Sequence, residues 1–138
     1  MAARSGRVTY IGTGFARVVA SYDSYFAIAV GDASVEVDFS SQTASGELAL
    51  KEITASRVGN IAINDTTVIF EPTYLDANYF ALDLTLDPTD FGLTNFDQQT
   101  GRAIFYGAGP TSVAGVASGT GASATGPTGL LLLDFAAE

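Results

Sequence analysis

The sequence predicts an all-β fold, an eight-stranded antiparallel up-and-down β-barrel formed as a single domain over residues 1–138. Apolar and polar residues alternate with a period of two along most of the chain, as in half-buried strands. Turn-forming residues separate these segments at short intervals, which is typical of an antiparallel meander. Charged residues make up only 15% of the chain, so exposed charged helices are not expected.

The strands of the first half follow this alternation closely. Val35, Val37 and Phe39 alternate with polar residues, and Leu48 and Leu50 do the same after a polar turn. Residues 80–86 repeat the pattern until Pro88, which lacks a backbone donor and ends the strand. The side chains expected to fill the barrel interior are Val35, Val37, Phe39, Leu48, Leu50, Leu82, Leu84 and Ile104.

The second half contains longer connections. Residues 87–101 are expected to form a polar loop carrying Phe91 and Phe96, and residues 119–129 a Gly-rich hairpin loop. The four leucines at 130–133 predict a last, largely buried strand, because the run is too short for a helix.

Phe105 and Tyr106 are expected to hold the fold, with one side chain in the core and the other at a barrel end or edge. Neighbours on a strand point to opposite faces, so only one of the two can be inward. If Ile104 is a core residue, Tyr106 is the inward one.

Composition excludes many functions. Six basic residues oppose fifteen acidic ones, and a formal charge of −9 disfavours nucleic acid and anionic membranes. The chain has no His and no Cys, which removes the usual nucleophilic triads, zinc sites and haem ligands. We therefore expect no enzyme activity, no cofactor and no metal. No apolar run is long enough for a transmembrane helix, and the first seven residues do not form a signal peptide.

Three weak motifs are better explained structurally. The Gly-Thr-Gly segments at 12–14 and 119–121 do not complete a dinucleotide-binding fingerprint, and they predict strand bends or loop tips. An acidic cluster lacks EF-hand spacing, which leaves calcium binding open; its members are Asp83, Asp87, Asp90 and Asp97. Glu36, Asp38 and Glu47 occupy outward strand positions, where no cleft would support glycoside hydrolysis.

Aromatic residues at expected turns are the candidate partner-binding residues: Tyr22, Tyr25, Phe91 and Phe96, with Tyr74 at a further turn. Aromatic side chains bury much area at little entropic cost, so they often anchor protein partners. The alternative is that they plug the barrel ends, since small barrels fill their interiors with side chains.

The segment 101–110, Gly-Arg-Ala-Ile-Phe-Tyr-Gly-Ala-Gly-Pro, resembles a stretch of the transferrin-binding protein B family of bacterial surface lipoproteins. Residues 35–39 followed by Ser45-Gly46, and the opening Tyr10-Ile11-Gly12, resemble that family in the same order. The resemblance spans essentially the whole chain and implies a β-barrel domain. It implies barrel-closing roles for Phe105, Tyr106 and Gly107, and no ligand residue.

The leading functional hypothesis is a non-enzymatic binding module that engages a protein or small solute through loops at the barrel ends. Its expected location is the cell surface, outer membrane or periplasm of a bacterium, with the signal or lipidation segment absent from this sequence. The alternatives are a structural or adhesive component of a virion or surface assembly, and a lipocalin-like carrier of small ligands. The partner and the oligomeric state are left open.

Overall fold

The computed structural model describes residues 6–20, 26–55, 65–107, 111–122 and 128–138, and its strands close into an eight-stranded antiparallel barrel. The strands are β1 (Arg7–Ala20), β2 (Phe26–Asp38), β3 (Thr43–Ala55), β4 (Thr66–Asp76), β5 (Tyr79–Ala81), β6 (Leu84–Thr85), β7 (Asp97–Tyr106), β8 (Ser112–Ala122) and β9 (Thr128–Ala137). One 3₁₀ helix, Pro88–Phe91, lies between β6 and β7. The predicted fold class is confirmed.

Consecutive strands are neighbours around the barrel, as expected for an up-and-down meander. β1 pairs antiparallel with both β2 and β9, and the second pairing closes the barrel. β5 and β6 both pair with β4 and together occupy one strand position, so nine strands fill eight positions. The four leucines lie in β9, and the predicted last strand is confirmed.

The core is formed by alternate side chains of the strands, and most predicted core residues belong to it. Six are buried, and Leu84 is partly buried against them; the six are Val35, Val37, Phe39, Leu48, Leu50 and Leu82. The prediction for Ile104 is wrong, because 44% of this residue is exposed. In β7 the inward positions belong to Ala103 and Phe105, which places Ile104 on the outer face.

Phe105 is the inward member of its pair and lies at the centre of an aromatic cluster. Its ring centroid is 6.0 Å from that of Tyr10, 6.1 Å from Phe39 and 5.4 Å from Phe80. Tyr106, the last residue of β7, is 48% exposed on the outer face of the barrel. Ile104 and Tyr106 share the outer face of β7, so the condition under which Tyr106 would be inward, a core Ile104, is not met.

Small residues face the large ones inside the barrel. Gly115 lies opposite Phe135 on the neighbouring strand, and a Cβ at position 115 would overlap the Phe135 ring. A Cβ at position 119 would likewise overlap the Phe96 ring. Small barrels commonly alternate small and large interior side chains to fill the taper. The prediction of a loop is wrong for residues 119–122, which extend β8 and pair with residues 128–131 of β9.

Candidate binding surface at the loop end of the barrel

The two ends of the barrel differ in their connections. Because antiparallel strands alternate in direction, the connections 21–25, 56–65, 86–96 and 123–127 all leave from one end, which we call the loop end. The opposite end has the short connections 39–42, 77–78 and 107–111. Of the four loop-end connections, only 86–96 lies wholly within the described residues. The described strand ends that lead into these four connections thus lie at one end of the barrel.

Residues 87–96 form a capping segment that begins with the 3₁₀ helix. Asp87 is its N-cap and accepts hydrogen bonds from the Thr89 backbone N–H at 3.0 Å and the Thr89 hydroxyl at 2.7 Å. The Thr89 hydroxyl, followed by the Thr89 backbone N–H, lowers the pKa of Asp87. Pro88 stands at the start, and Gly92 ends the helix with a φ of 73°, a conformation that favours glycine.

The capping segment spans the loop end from β4 to β8. The Thr66 hydroxyl donates to the Asp90 carboxylate at 2.7 Å, which ties the segment to the start of β4. The Thr94 backbone N–H donates to the Ala122 carbonyl at 2.8 Å, and Asn95 Oδ1 accepts from the Ala122 N–H at 2.7 Å. These bonds hold the segment to the end of β8.

The apolar side chains of the capping segment point into the barrel. Phe91 is fully buried and Leu93 is 1% exposed, and both belong to the core. Phe96 is half-buried and packs on the core beside Gly119. Phe91 and Phe96 face the core because the segment crosses the barrel mouth and its apolar residues fill it.

Partner binding by the four candidate aromatics stays a prediction. Tyr22 and Tyr25 lie outside the described residues. Phe91 and Phe96 take the alternative role that the sequence left open, that of plugging the barrel end. The sequence carries the boundaries of the helix, with Asp87-Pro88 at its start and Gly92 at its end, and apolar residues stand at 91, 93 and 96.

A glutamine that sequence reasoning missed seals the barrel below the capping segment. Gln98 Nε2 donates to the Leu82 carbonyl at 2.6 Å, and Gln98 Oε1 accepts from the Leu84 backbone N–H at 3.0 Å. This side-chain amide takes the place of a backbone peptide between β7 and the residues joining β5 to β6. Gly101 makes room for it, because a Cβ there would lie close to Gln98 Nε2 and to the Leu82 carbonyl.

The described connections at the loop end carry only acidic charge. Asp65 and Asp87 are exposed and Asp90 is half-buried, while Asp97 is exposed at the start of β7. Within the described residues, no three acidic side chains come close enough to hold a metal ion. Asp90 and Asp97 are instead bonded to Thr66 and Gln99.

The carboxylates considered for hydrolysis lie on the barrel wall and at the opposite end. Glu36 and Glu47 are exposed. Asp38 accepts hydrogen bonds from the Ser41 and Ser40 backbone N–H groups at 3.2 and 2.9 Å, and the Ser41 bond above all lowers the pKa of Asp38. Arg7 lies 3.5 Å from both Glu36 and Asp38. These groups form a solvated charge cluster of modest energetic weight.

The described part of the chain contains no helix long and apolar enough to cross a membrane. No family model matches the chain, and no curated protein sequence does.

Among solved structures, the chain is similar to the vaccine antigen transferrin-binding protein B (TbpB) from Haemophilus parasuis Hp5, crystallised as a double mutant. The TM-score is 0.61 at 23% sequence identity, and the match covers 97% of this chain. The chain folds as a TbpB-like β-barrel domain. At this identity the likeness establishes the fold, and the resemblance predicted from the sequence is confirmed at that level.

The TbpB-like barrel corresponds to one part of a longer protein in that comparison. The match covers 26% of the TbpB chain, so this sequence spans about a quarter of the TbpB chain. Phe105, which the resemblance made a barrel-closing residue, is a core residue of the TbpB-like barrel. Tyr106 and Gly107 follow it at the end opposite the capping segment.

Proposed function

We propose that this chain is a non-enzymatic binding module of a bacterial surface or periplasmic protein, which recruits a protein or small solute through its loop end. The observation that carries the proposal is that the strand ends leading into four connections meet at one barrel end, beside a hydrogen-bonded capping segment. Loops held on a rigid scaffold are the usual place for recognition, because the strands are committed to pairing. The TbpB-like fold, whose solved example is named for binding transferrin, supports a binding role.

The charge of the loop end favours a partner with a basic surface. Asp65, Asp87 and Asp97 are exposed there, and the whole chain carries −9. Attraction between opposite charges speeds encounter and weakens with added salt. Nucleic acid is disfavoured as a partner on the same grounds. Catalysis is disfavoured because the chain lacks His and Cys and its wall carboxylates are solvated.

The filled interior favours recognition by loops over enclosure of a ligand. Phe91 and Leu93 close the loop end, and the aromatic cluster around Phe105 fills the opposite half. A lipocalin-like carrier needs an open calyx at one end. The second candidate function is a structural or adhesive role in a surface or virion assembly, which the exposed apolar residues of the outer wall favour.

The decisive experiment compares two surface variants of the chain. Tyr22→Ser with Tyr25→Ser alters a loop-end connection, and Tyr74→Ser alters a tyrosine that is 79% exposed near the opposite end. Purified transferrin is the first probe, in a titration followed by biolayer interferometry. Proteins captured from serum and from bacterial envelope extracts are the second, each identified, purified and titrated in turn.

A partner that binds the wild type and Tyr74→Ser, and binds the double variant at least about tenfold more weakly, supports the proposal. A partner that binds all three proteins equally would show that recognition does not use the 21–25 connection, and it would contradict the assignment of Tyr22 and Tyr25 as binding residues. The absence of any partner of micromolar affinity from both sources would contradict the binding function itself.

A further inference from the structure

The outer wall formed by β7, β8, β9 and β1 is the apolar side of the barrel. Eight large hydrophobic residues of the described chain are exposed, and seven of them lie on these four neighbouring strands. The seven are Ile11, Phe15, Val19, Ile104, Tyr106, Val116 and Leu130. We call this surface the apolar wall. A group of exposed large apolar residues on one side of a protein often marks an interaction site.

The strand register brings these side chains into adjacent rows. Ile104 lies opposite Ala114, which lies opposite Ala136 on β9. In the next row Val116 lies opposite Asp134, which lies opposite Phe15 on β1. Side chains directly opposite on neighbouring strands are in contact distance, so Val116 and Phe15 flank Asp134 in one row and Ile104 borders two alanines in the other.

The apolar wall contains both projections and a recess. A groove of about 410 Å³ on this wall is lined by Ile104, Tyr106, Ala114, Gly115, Val116 and Phe135, together with Arg102 and Asp134. The groove is lined almost wholly by apolar atoms. Phe135 fills the space under Gly115, so this part of the groove is fixed by the core. A surface that carries both protruding side chains and a groove can be complementary to a second copy of itself across a two-fold axis.

Charge distinguishes the apolar wall from the rest of the molecule. The wall segments 11–19, 102–106, 114–118 and 130–136 contain two arginines and one aspartate, a net charge of +1. The rest of the chain therefore carries −10, from −9 minus +1. Arg17 lies 3.5 Å from Asp134, and Arg102 lies over the Tyr79 ring at 4.3 Å, so these cations have partners on the same molecule.

We propose that the apolar wall is the contact surface for a second copy of this chain. Two molecules of charge −9 repel each other through their acidic faces, and wall-to-wall contact keeps those faces apart. The wall offers a basic partner no unpaired carboxylate and an anionic partner no unpaired arginine, because Arg17 pairs with Asp134 and Arg102 lies over the Tyr79 ring. A second copy presents a surface of the same near-neutral, apolar character, which is the composition of homodimer interfaces.

The size of the wall indicates a weak dimer. Four strands about 4.8 Å apart and about seven residues long cover about 450 Å² per copy, or about 900 Å² in total. This lies below the roughly 1,200 Å² of stable complexes, in the range of transient ones. The association should therefore be reversible, with a dissociation constant in the micromolar range or weaker, and it should leave the loop end free.

The test is the oligomeric state of the 138-residue chain measured by sedimentation equilibrium from about 5 to about 500 µM. Val116→Glu and, separately, Ile11→Glu place a carboxylate on the wall at positions that are 61% and 60% exposed, where the fold can accept it. Tyr74→Glu is the matched control, since Tyr74 is the exposed hydrophobic residue off the wall. Circular dichroism melts verify that each variant is folded.

The expected result is a monomer–dimer equilibrium in the wild type and in Tyr74→Glu, with the dissociation constant raised about tenfold or more by either wall variant. A wild-type chain that stays monomeric to 500 µM would overturn the proposal and leave the wall to a different polypeptide. A dimer of unchanged affinity in both wall variants would overturn it as well, because association would then use another face.

Discussion

At the scale of single residues, Phe105 and Tyr106 show how a strand separates two aromatic neighbours. Phe105 is 4% exposed and contacts three other rings, whereas Tyr106 is 48% exposed on the apolar wall. The sequence alone does not show which of the two is inward, because both are aromatic residues of the same strand. Their different burial makes their contributions to stability very different.

Phe105→Ala is expected to lower the free energy of unfolding by about 3–5 kcal/mol, because it removes a ring from a packed cluster and leaves a cavity. Tyr106→Ala should change it by about 0.5 kcal/mol or less, as for most exposed positions. Urea unfolding of dilute samples followed by circular dichroism measures both. Equal losses in the two variants would contradict the inward placement of Phe105.

At the scale of elements, the seam between β6 and β7 depends on a side chain where backbone pairing is missing. β5 pairs with β7 through Ala81, and β6 pairs only with β4. The Gln98 amide bridges the interval by bonding Leu82 and Leu84. An amide side chain is suited to this position because it offers one donor and one acceptor group, as a peptide does.

Gln98→Ala is expected to lower the free energy of unfolding by about 1–3 kcal/mol, because it leaves the Leu82 carbonyl and the Leu84 N–H without their partner. Gln99→Ala is the matched control, since Gln99 is exposed and bonds to Asp97 next to it. Thermal and urea melts compare the two. A loss in Gln98→Ala no larger than in Gln99→Ala would show that the bridge contributes nothing.

The start of the capping segment is expected to respond to acid. The pKa of Asp87 is lowered in the folded protein by the hydrogen bonds from Thr89, so the ionised form stabilises the fold. This stabilisation is complete above the unfolded pKa of about 3.9 and is lost as the pH falls through the lower folded pKa.

The stability difference between the wild type and Asp87→Ala should therefore be constant above about pH 5 and shrink as the pH falls below about 4. Urea melts across that range measure it. A difference that grows on acidification would contradict the direction of the pKa shift.

At the scale of the whole molecule, the barrel has two surfaces of opposite character. The described part of the loop end carries acidic charge, and the apolar wall is near neutral. The two proposed interactions must then respond to salt in opposite directions. Screening removes attraction at the loop end, whereas at the wall it removes the background repulsion between two acidic molecules.

Raising sodium chloride from about 50 to about 500 mM should slow association of a basic partner at the loop end and strengthen dimerisation. Stopped-flow or interferometric association rates measure the first effect, and sedimentation equilibrium measures the second. Parallel weakening of both would show that the wall contact is electrostatic, which contradicts its assignment.

The sequence by itself predicts the fold class, most strands and most of the core, because period-two alternation places the apolar side chains on one face of each strand, and that face lines the inside of the barrel. It does not determine the inner face of β7, where Ala103 and Phe105 alternate with Ile104 and Tyr106. Both faces of that strand are apolar, so only pairing with β5 and β8 fixes which side is inward.

Tertiary structure also decided the candidate site. Phe91 and Phe96 stand in a polar stretch that is typical of an exposed loop. In the structure both pack against apolar side chains at the mouth of the barrel. The bridge made by Gln98 depends on missing backbone pairing between β6 and β7, which the local sequence pattern does not indicate. Alternation along a strand is a local property, whereas the filling of a barrel end and the sealing of a seam depend on residues distant in sequence.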